Sequence, residues 1–279
     1  MYEDIVVSTA WVNERWERVR IVDVREPWEF EGIGHLPNAV NLPFDAFRAG
    51  NGNGDEDGSD GGDEGMLPGE ETFADLLGER SISREDEIVA YDDTHGVFAA
   101  RLLVTCELYG HDPRKLHLLN GDFSAWSREF PTSGEPAEPD PTTYAIDRPA
   151  ADETVLISRE AVADALDAGG ENGDVVIVDT REEWEYAEGH LPGAVRLDWR
   201  ELVDGGSRGL KPDDEMEAIL AGRGITPAKR VILYCNTARR ISHTYLALRH
   251  LGYEDLAFYE GSLTEWEREG GPIEKSEAE

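Results

Sequence analysis

Of the two cysteines in this 279-residue sequence, Cys235 stands where a thiol can do chemistry. It follows the apolar run 231–234 and precedes Asn236, Thr237, Ala238, Arg239 and Arg240, after which a helical pattern begins near Ile241 or Ser242. A tight loop over a helix N-terminus turns several backbone N–H groups toward a sulfur anion, and the helix adds roughly half a positive charge. Arg239 and Arg240 bring two full charges to a chain whose net charge is −34. These features favour thiolate over thiol, and a partly open cysteine so placed is a nucleophile. Cys106 lies inside the helical run 99–109 and reads as a small buried hydrophobe. Neither cysteine belongs to a Cys-x-x-Cys pair, so the spacing offers no disulfide framework and no metal-binding pair of thiols.

The elements that must position Cys235 are written twice. The stretch from Ile21 to Phe30 returns from Val176 to Tyr186, one apolar residue longer at its start. Gly34-His35-Leu36-Pro37 returns as Gly189-His190-Leu191-Pro192, residues 88–91 match 231–234, and residues 120–126 match 260–266. Four segments in the same order mark a tandem duplication. In each copy β-branched runs (21–24, 88–91, 175–178, 231–234) alternate with helical patterns such as 158–166, with Ser158 as its N-cap, and 242–251. Continuous apolar strands divided by helices predict a mainly parallel sheet covered on both faces, so each half is an α/β domain. Ligands of such sheets collect at the carboxyl ends of strands, where Cys235 lies. Asp23, Arg25, Asp179 and Arg181 follow strand ends and are expected to knit loops together. His35 and His190 fall in a turn before proline, and Trp126 and Trp266 read as helix-face core residues.

Pro131, Pro136, Pro139, Pro141 and Pro149 predict an extended linker, giving domains 1–132 and 152–279 around a linker 133–151. Residues 49–70, mostly Gly, Asn, Asp and Glu, predict an irregular acidic loop inside the first domain. With 26 basic residues against 60 acidic ones, nucleic acid and anionic membranes are poor partners. Scarce lysine (Lys115, Lys211, Lys229 and Lys275) beside abundant acid suggests a salt-loaded, halophilic cytoplasm. No apolar run approaches the ~20 residues of a membrane span, and the first ten residues have neither a basic start nor a long apolar segment, so a cytoplasmic protein is expected.

Over nearly its full length the chain resembles the rhodanese family. The resemblance is carried by Asp23-Val24-Arg25 and Asp179-Thr180-Arg181 with the Trp-Glu that follows each, by the two Gly-His-Leu-Pro-x-Ala segments, by Tyr234 through Arg240, and by Glu260 through Trp266. It implies two tandem rhodanese-like domains, each a mainly parallel sheet with helices on both faces, with the active cysteine, Cys235, in the second. The family's loop usually reads Cys-x-x-Gly-x-Arg or Cys-x-x-Gly-x-Thr. Ala238 takes the glycine position, which favours positive φ, and Arg240 takes that of the loop-closing residue. Cysteine phosphatases of related architecture use Cys-x5-Arg to hold phosphate. Cys235 to Arg240 is Cys-x4-Arg, a smaller cradle that suits a single sulfur.

Aligning Tyr91 with Tyr234 sets Asp92 opposite Cys235, so the first copy is expected to be catalytically inactive. In two-domain members of the family the inactive half lends an arginine from the helix after this loop, a position matched here by Arg101. The activity so implied is a sulfurtransferase that moves a sulfane sulfur from thiosulfate to a thiophilic acceptor such as cyanide through a Cys235 persulfide. Arg240, Arg239, Arg101, Asn236, Thr237 and Ala238 would bind the anionic donor, with neither a metal nor an organic cofactor. The alternatives are 3-mercaptopyruvate as donor, or a non-enzymatic module that carries persulfide sulfur or docks on a partner.

Overall fold

Short, fully apolar segments alternate with helices through both halves of the chain, and each strand pairs in parallel with its neighbours. The computed structural model describes residues 4–48, 67–137, 139–150, 155–167 and 173–276. The chain divides into two units. The first holds the chain up to Ala150 together with Asp204–Leu210, and the second holds the C-terminal remainder.

The N-terminal unit runs β1 (Val6–Ser8), α1 (Thr9–Asn13), β2 (Arg20–Asp23), α2 (Pro27–Gly32), β3 (Ala39–Asn41), α3 (Glu70–Glu79), β4 (Ile88–Tyr91), α4 (Val97–Leu108), β5 (Leu116–Asn120) and α5 (Asp122–Glu129). Its sheet has the order β1-β5-β4-β2-β3, all parallel. Every residue of central β4 is buried, which is why it carries no polar alternation.

The C-terminal unit runs α6 (Arg159–Asp167), β6 (Val175–Asp179), α7 (Glu183–Glu188), β7 (Val195–Arg196), α8 (Asp213–Ala221), β8 (Arg230–Tyr234), α9 (Arg239–His250), β9 (Leu256–Phe258) and α10 (Ser262–Arg268). Its sheet has the order β7-β6-β8-β9, and a parallel bridge from Leu156 to Phe258 extends it as β1 extends the first sheet. Register repeats as well: Asp23 pairs with Tyr91 and Asp179 with Tyr234. The α/β architecture read from the sequence is the one observed.

Residues 131–137 and 139–150 form no helix or strand and run along the N-terminal unit. The Thr142 N–H donates to Gly78 O at 2.9 Å and the Asp147 N–H to Tyr109 O at 3.2 Å. This approach requires glycine, since a Cβ on Gly110 would lie 1.9 Å from Asp147 O. Of the acidic stretch 49–70, residues 49–66 lie outside the described residues, and Glu70 already opens α3. Asp204–Leu210 belong to the C-terminal half by sequence but group with the N-terminal unit, where the Leu210 N–H donates to Asn120 Oδ1 at 2.7 Å and Arg208 Nε to Asp122 at 2.8 Å. Among the described residues no helix is long and apolar enough to cross a membrane.

Candidate active site

Cys235 follows the last residue of β8 at the carboxyl end of its sheet, as the sequence pattern requires. Its N–H donates to Ser262 Oγ at 3.1 Å, and its carbonyl accepts from the Leu263 N–H at 2.9 Å. The Ser262 hydroxyl in turn donates to Tyr259 O at 2.9 Å. The start of α10 therefore holds the peptide of the cysteine. Only 1% of Cys235 is exposed, which corrects the expectation of a partly open residue.

The turn out of the strand is made at Ala238, whose φ of 61° and ψ of 0° are left-handed. The glycine-type backbone is thus kept with a methyl attached, and the residue is fully buried. This turn enters α9 at Arg239, two to three residues earlier than the sequence pattern suggested, so Arg239 and Arg240 sit in the first helical turn and not in the loop. Thr237 stays partly exposed at the loop's crest.

Arg240 is not an uncompensated charge. Its Nη2 donates to Glu185 Oε1 at 2.8 Å and its Nη1 to Glu185 Oε2. Burial works against the Arg240 charge, but Glu185, Cys235 and Asp179 raise its pKa above the usual guanidinium value. Burial likewise works against the Glu185 charge, yet its bonds to Arg240 and to the Glu182 N–H hold its pKa below the ordinary carboxylate value. Asn236 is committed too. Its Nδ2 donates to Glu185 Oε1 at 2.8 Å, its Oδ1 accepts from Arg181 Nη1 at 3.2 Å, and its carbonyl accepts from Thr264 at 2.9 Å. Arg240 and Asn236 thus meet Glu185 and Arg181 in one network, with Arg240 at the loop-closing position read from the sequence.

Arg181 is fixed by Asp179, with Nη2 to Oδ2 at 2.6 Å, and by Gly189 O at 2.6 Å, while Tyr234 OH donates to Asp179 at 2.7 Å. The same arrangement recurs with Arg25, Asp23, Gly34 and Tyr91. These strand-end residues knit loops together, as expected. His35 and His190 stack on Phe30 and Tyr186 at 4.0 and 3.7 Å and are structural. Trp126 and Trp266 are buried, each indole N–H donating to a proline carbonyl. Cys106 is fully buried on α4, and burial pushes its thiol up to about 12.

In the first copy Asp92 occupies the cysteine position. Its carboxylate accepts four backbone N–H groups, those of Thr94 and Gly96 at 2.7 Å, Phe98 at 2.8 Å and Ala99 at 3.1 Å. A side chain thus fills the anion-binding concavity of this loop. Phe98 matches Arg240 when the two helix starts are aligned, so the loop-closing cation is missing as well. Arg101 is buried on α4 of this unit.

Beside Asn236 lies a cavity of about 660 Å³ lined by Arg181, Trp184, Glu185, Glu188 and Lys275 among others. Trp184 is 57% exposed at its rim. Sequence reasoning missed Glu185 and Ser262. Glu185 carried one usable signal, its place as the second glutamate of a Glu-x-x-Glu capping box that Glu26 and Glu29 repeat in the first copy.

Residues 8–129 and 162–269 each match the description of the rhodanese-like domain. The chain belongs to the rhodanese family. It is 30% identical to the thiosulfate sulfurtransferase of Corynebacterium glutamicum over 94% of this chain and 87% of that one. It is 29% identical to the sulfur carrier protein TtuD of Thermus thermophilus over 99% and 98%. Among solved structures, the 3-mercaptopyruvate sulfotransferase SseA of Escherichia coli matches with a TM-score of 0.74 and 26% identity, covering 93% of this rhodanese and 98% of SseA.

Proposed function

We propose that this rhodanese is a thiosulfate sulfurtransferase in which Cys235 is the sulfur-carrying nucleophile. The observation that carries the assignment is the place of Cys235: it follows β8 directly, stands ahead of the α9 N-terminus across a left-handed turn, and is the thiol position that the first copy lacks. The Cys235 thiolate attacks the outer sulfur of thiosulfate, the sulfur–sulfur bond breaks, and sulfite departs with the bonding pair. A persulfide anion remains in the loop, where backbone N–H groups and the helix N-terminus stabilise it. Cyanide then attacks the outer sulfur, thiocyanate leaves, and the thiolate returns. Atoms and electrons balance without a cofactor. Arg239 in the first turn of α9, and Arg101 by family resemblance, are the remaining candidates to meet the anionic part of the donor.

Steady-state turnover with thiosulfate and cyanide tests the proposal. Ping-pong kinetics that vanish in Cys235→Ser, with folding intact, are the expected result, and appreciable activity in that variant would overturn it. The likeness to SseA supports 3-mercaptopyruvate as the alternative donor. The likeness to TtuD supports a carrier role, in which a partner protein's thiolate takes the sulfur. A higher kcat/KM with 3-mercaptopyruvate would favour the first. Persulfide formation without turnover would favour the second. The net charge of −34 with four lysines supports a salt-loaded cytoplasm as the setting, checked by stability that rises toward molar KCl.

A further inference from the structure

Two arginines at the Cys235 loop, where Arg239 also lies, meet carboxylates: Arg181 with Asp179, and Arg240 with Glu185. The second pair is the informative one, because Arg240 stands in the first turn of α9, the helix that the Cys235 loop enters directly after β8. Glu185 accepts only from donors: both nitrogens of Arg240, the Asn236 amide and the Glu182 N–H at 3.0 Å. Four donors hold it as a carboxylate. The side chains of Arg240 and Glu185 are 21% and 9% exposed, so salt screens the pair less than it would a surface pair.

The first copy separates the two tasks of this glutamate. Glu29 keeps the capping-box role on α2, but Phe98 stands where Arg240 would be, and that copy has no nucleophile. Capping therefore does not call for the ion pair. What the pair adds, in the copy with the cysteine, is the cancellation of a positive charge beside the thiol.

We infer that Glu185 is a specificity-determining residue, which cancels the charge of Arg240 and so sets how strongly the loop prefers a dianionic sulfur donor over a monoanionic one. This rests on the sulfurtransferase reading above. Thiosulfate carries two negative charges, and 3-mercaptopyruvate with its thiol protonated carries one. One uncompensated charge near the bound donor changes the ratio of their kcat/KM values by up to about ten-fold, since the extra charge of the dianion feels it while the other differences between the donors are the same before and after the substitution.

The test is a charge cycle in the full-length protein, at the lowest KCl that keeps it folded. Glu185→Gln retains a residue that can complete a capping box and leaves Arg240 uncancelled, so the ratio of thiosulfate to 3-mercaptopyruvate efficiency should rise several-fold. Arg240→Gln leaves Glu185 uncancelled, so the same ratio should fall several-fold. The double variant should return to within about two- to three-fold of the unchanged enzyme. Because the single variants move the ratio in opposite directions, a general loosening of the loop cannot imitate the pattern; if Glu185→Gln fails to fold, Arg240→Lys, which keeps the charge, should hold the ratio that Arg240→Gln lowers. Single variants that slow both donors equally, or a Glu185→Gln ratio that falls, would overturn the inference while leaving the sulfurtransferase reading in place. Absence of persulfide formation and turnover by the unchanged enzyme with both donors would overturn both.

Discussion

The Cys235 amide donates to the Ser262 hydroxyl at 3.1 Å, tying the nucleophile's backbone to the first residue of α10. Ser262 adopts a left-handed φ of 49°, as does its counterpart Asp122 at 53°, although the glycine before each differs, left-handed at Gly121 and right-handed at Gly261.

Ser262→Ala keeps the backbone shape available but deprives a buried N–H of its acceptor. An unsatisfied buried donor costs about 1–3 kcal/mol. Urea denaturation should show a loss in that range. Sulfur loading should slow as well, because the Cys235 peptide is no longer held. Unchanged stability would mean that Ser262 does not anchor the cysteine.

Ala238 holds a conformation that costs an L-residue roughly 1–2 kcal/mol and glycine almost nothing. Its φ of 61° sits at the turn into α9. Ala238→Gly should relieve that strain, partly offset by the entropy of glycine in the unfolded chain, for a net gain of up to about 1 kcal/mol. Thermal melting checks the gain, and a clear destabilisation would contradict the left-handed assignment.

Cys106 should be unreactive in the folded protein and should link stability to pH. Burial raises Cys106 to about 12, so native protein should resist alkylation there and react only on unfolding. A free thiol in the unfolded chain titrates near ~8.5. A raised folded value means that the stability contribution is complete below the unfolded value and is lost as pH climbs toward about 12. Stability should therefore decline above pH ~9 by up to about 1 kcal/mol per pH unit from this group, and Cys106→Ala should flatten that decline. Alkylation of Cys106 in the folded protein would contradict its burial.

Asp92 replaces an absent ligand in the first copy. Burial raises its pKa against the pull of four N–H donors, and without it those donors lose their acceptor. Asp92→Ala should cost about 2–4 kcal/mol, far beyond a surface acid, with Asp92→Asn less harmful because an amide oxygen remains. A cost under about 0.5 kcal/mol would show that water or backbone satisfies the loop equally well.

How far the sequence carries depends on what the residues announce locally. The duplication, the parallel sheets and the place of Cys235 were all legible, since apolar runs, caps and repeats act over a few residues. The left-handed turn at Ala238 was legible through its place in the loop pattern. Contacts distant in sequence were not. Glu185 is one of 60 acids and meets Arg240 across 55 residues, so its capping-box place was a local signal but its pairing with Arg240 was not. The bonds of Arg240 and Asn236 to Glu185 and Arg181 were likewise not legible. Arg208 pairs with Asp122 across 86 residues, which is why Asp204–Leu210 read as part of the second half. The burial of Cys235 depends on Leu263 and Ser262, themselves 27 or more residues away.

The central claim is that Cys235 carries the sulfur, and intact-protein mass spectrometry tests it most directly. After brief incubation with thiosulfate or 3-mercaptopyruvate in molar KCl, the protein should gain the mass of one sulfur atom. Cyanide should remove it, and Cys235→Ser should never acquire it. A gain that persists in Cys235→Ser, or no gain with either donor, would contradict the assignment of Cys235 as the sulfur-carrying nucleophile.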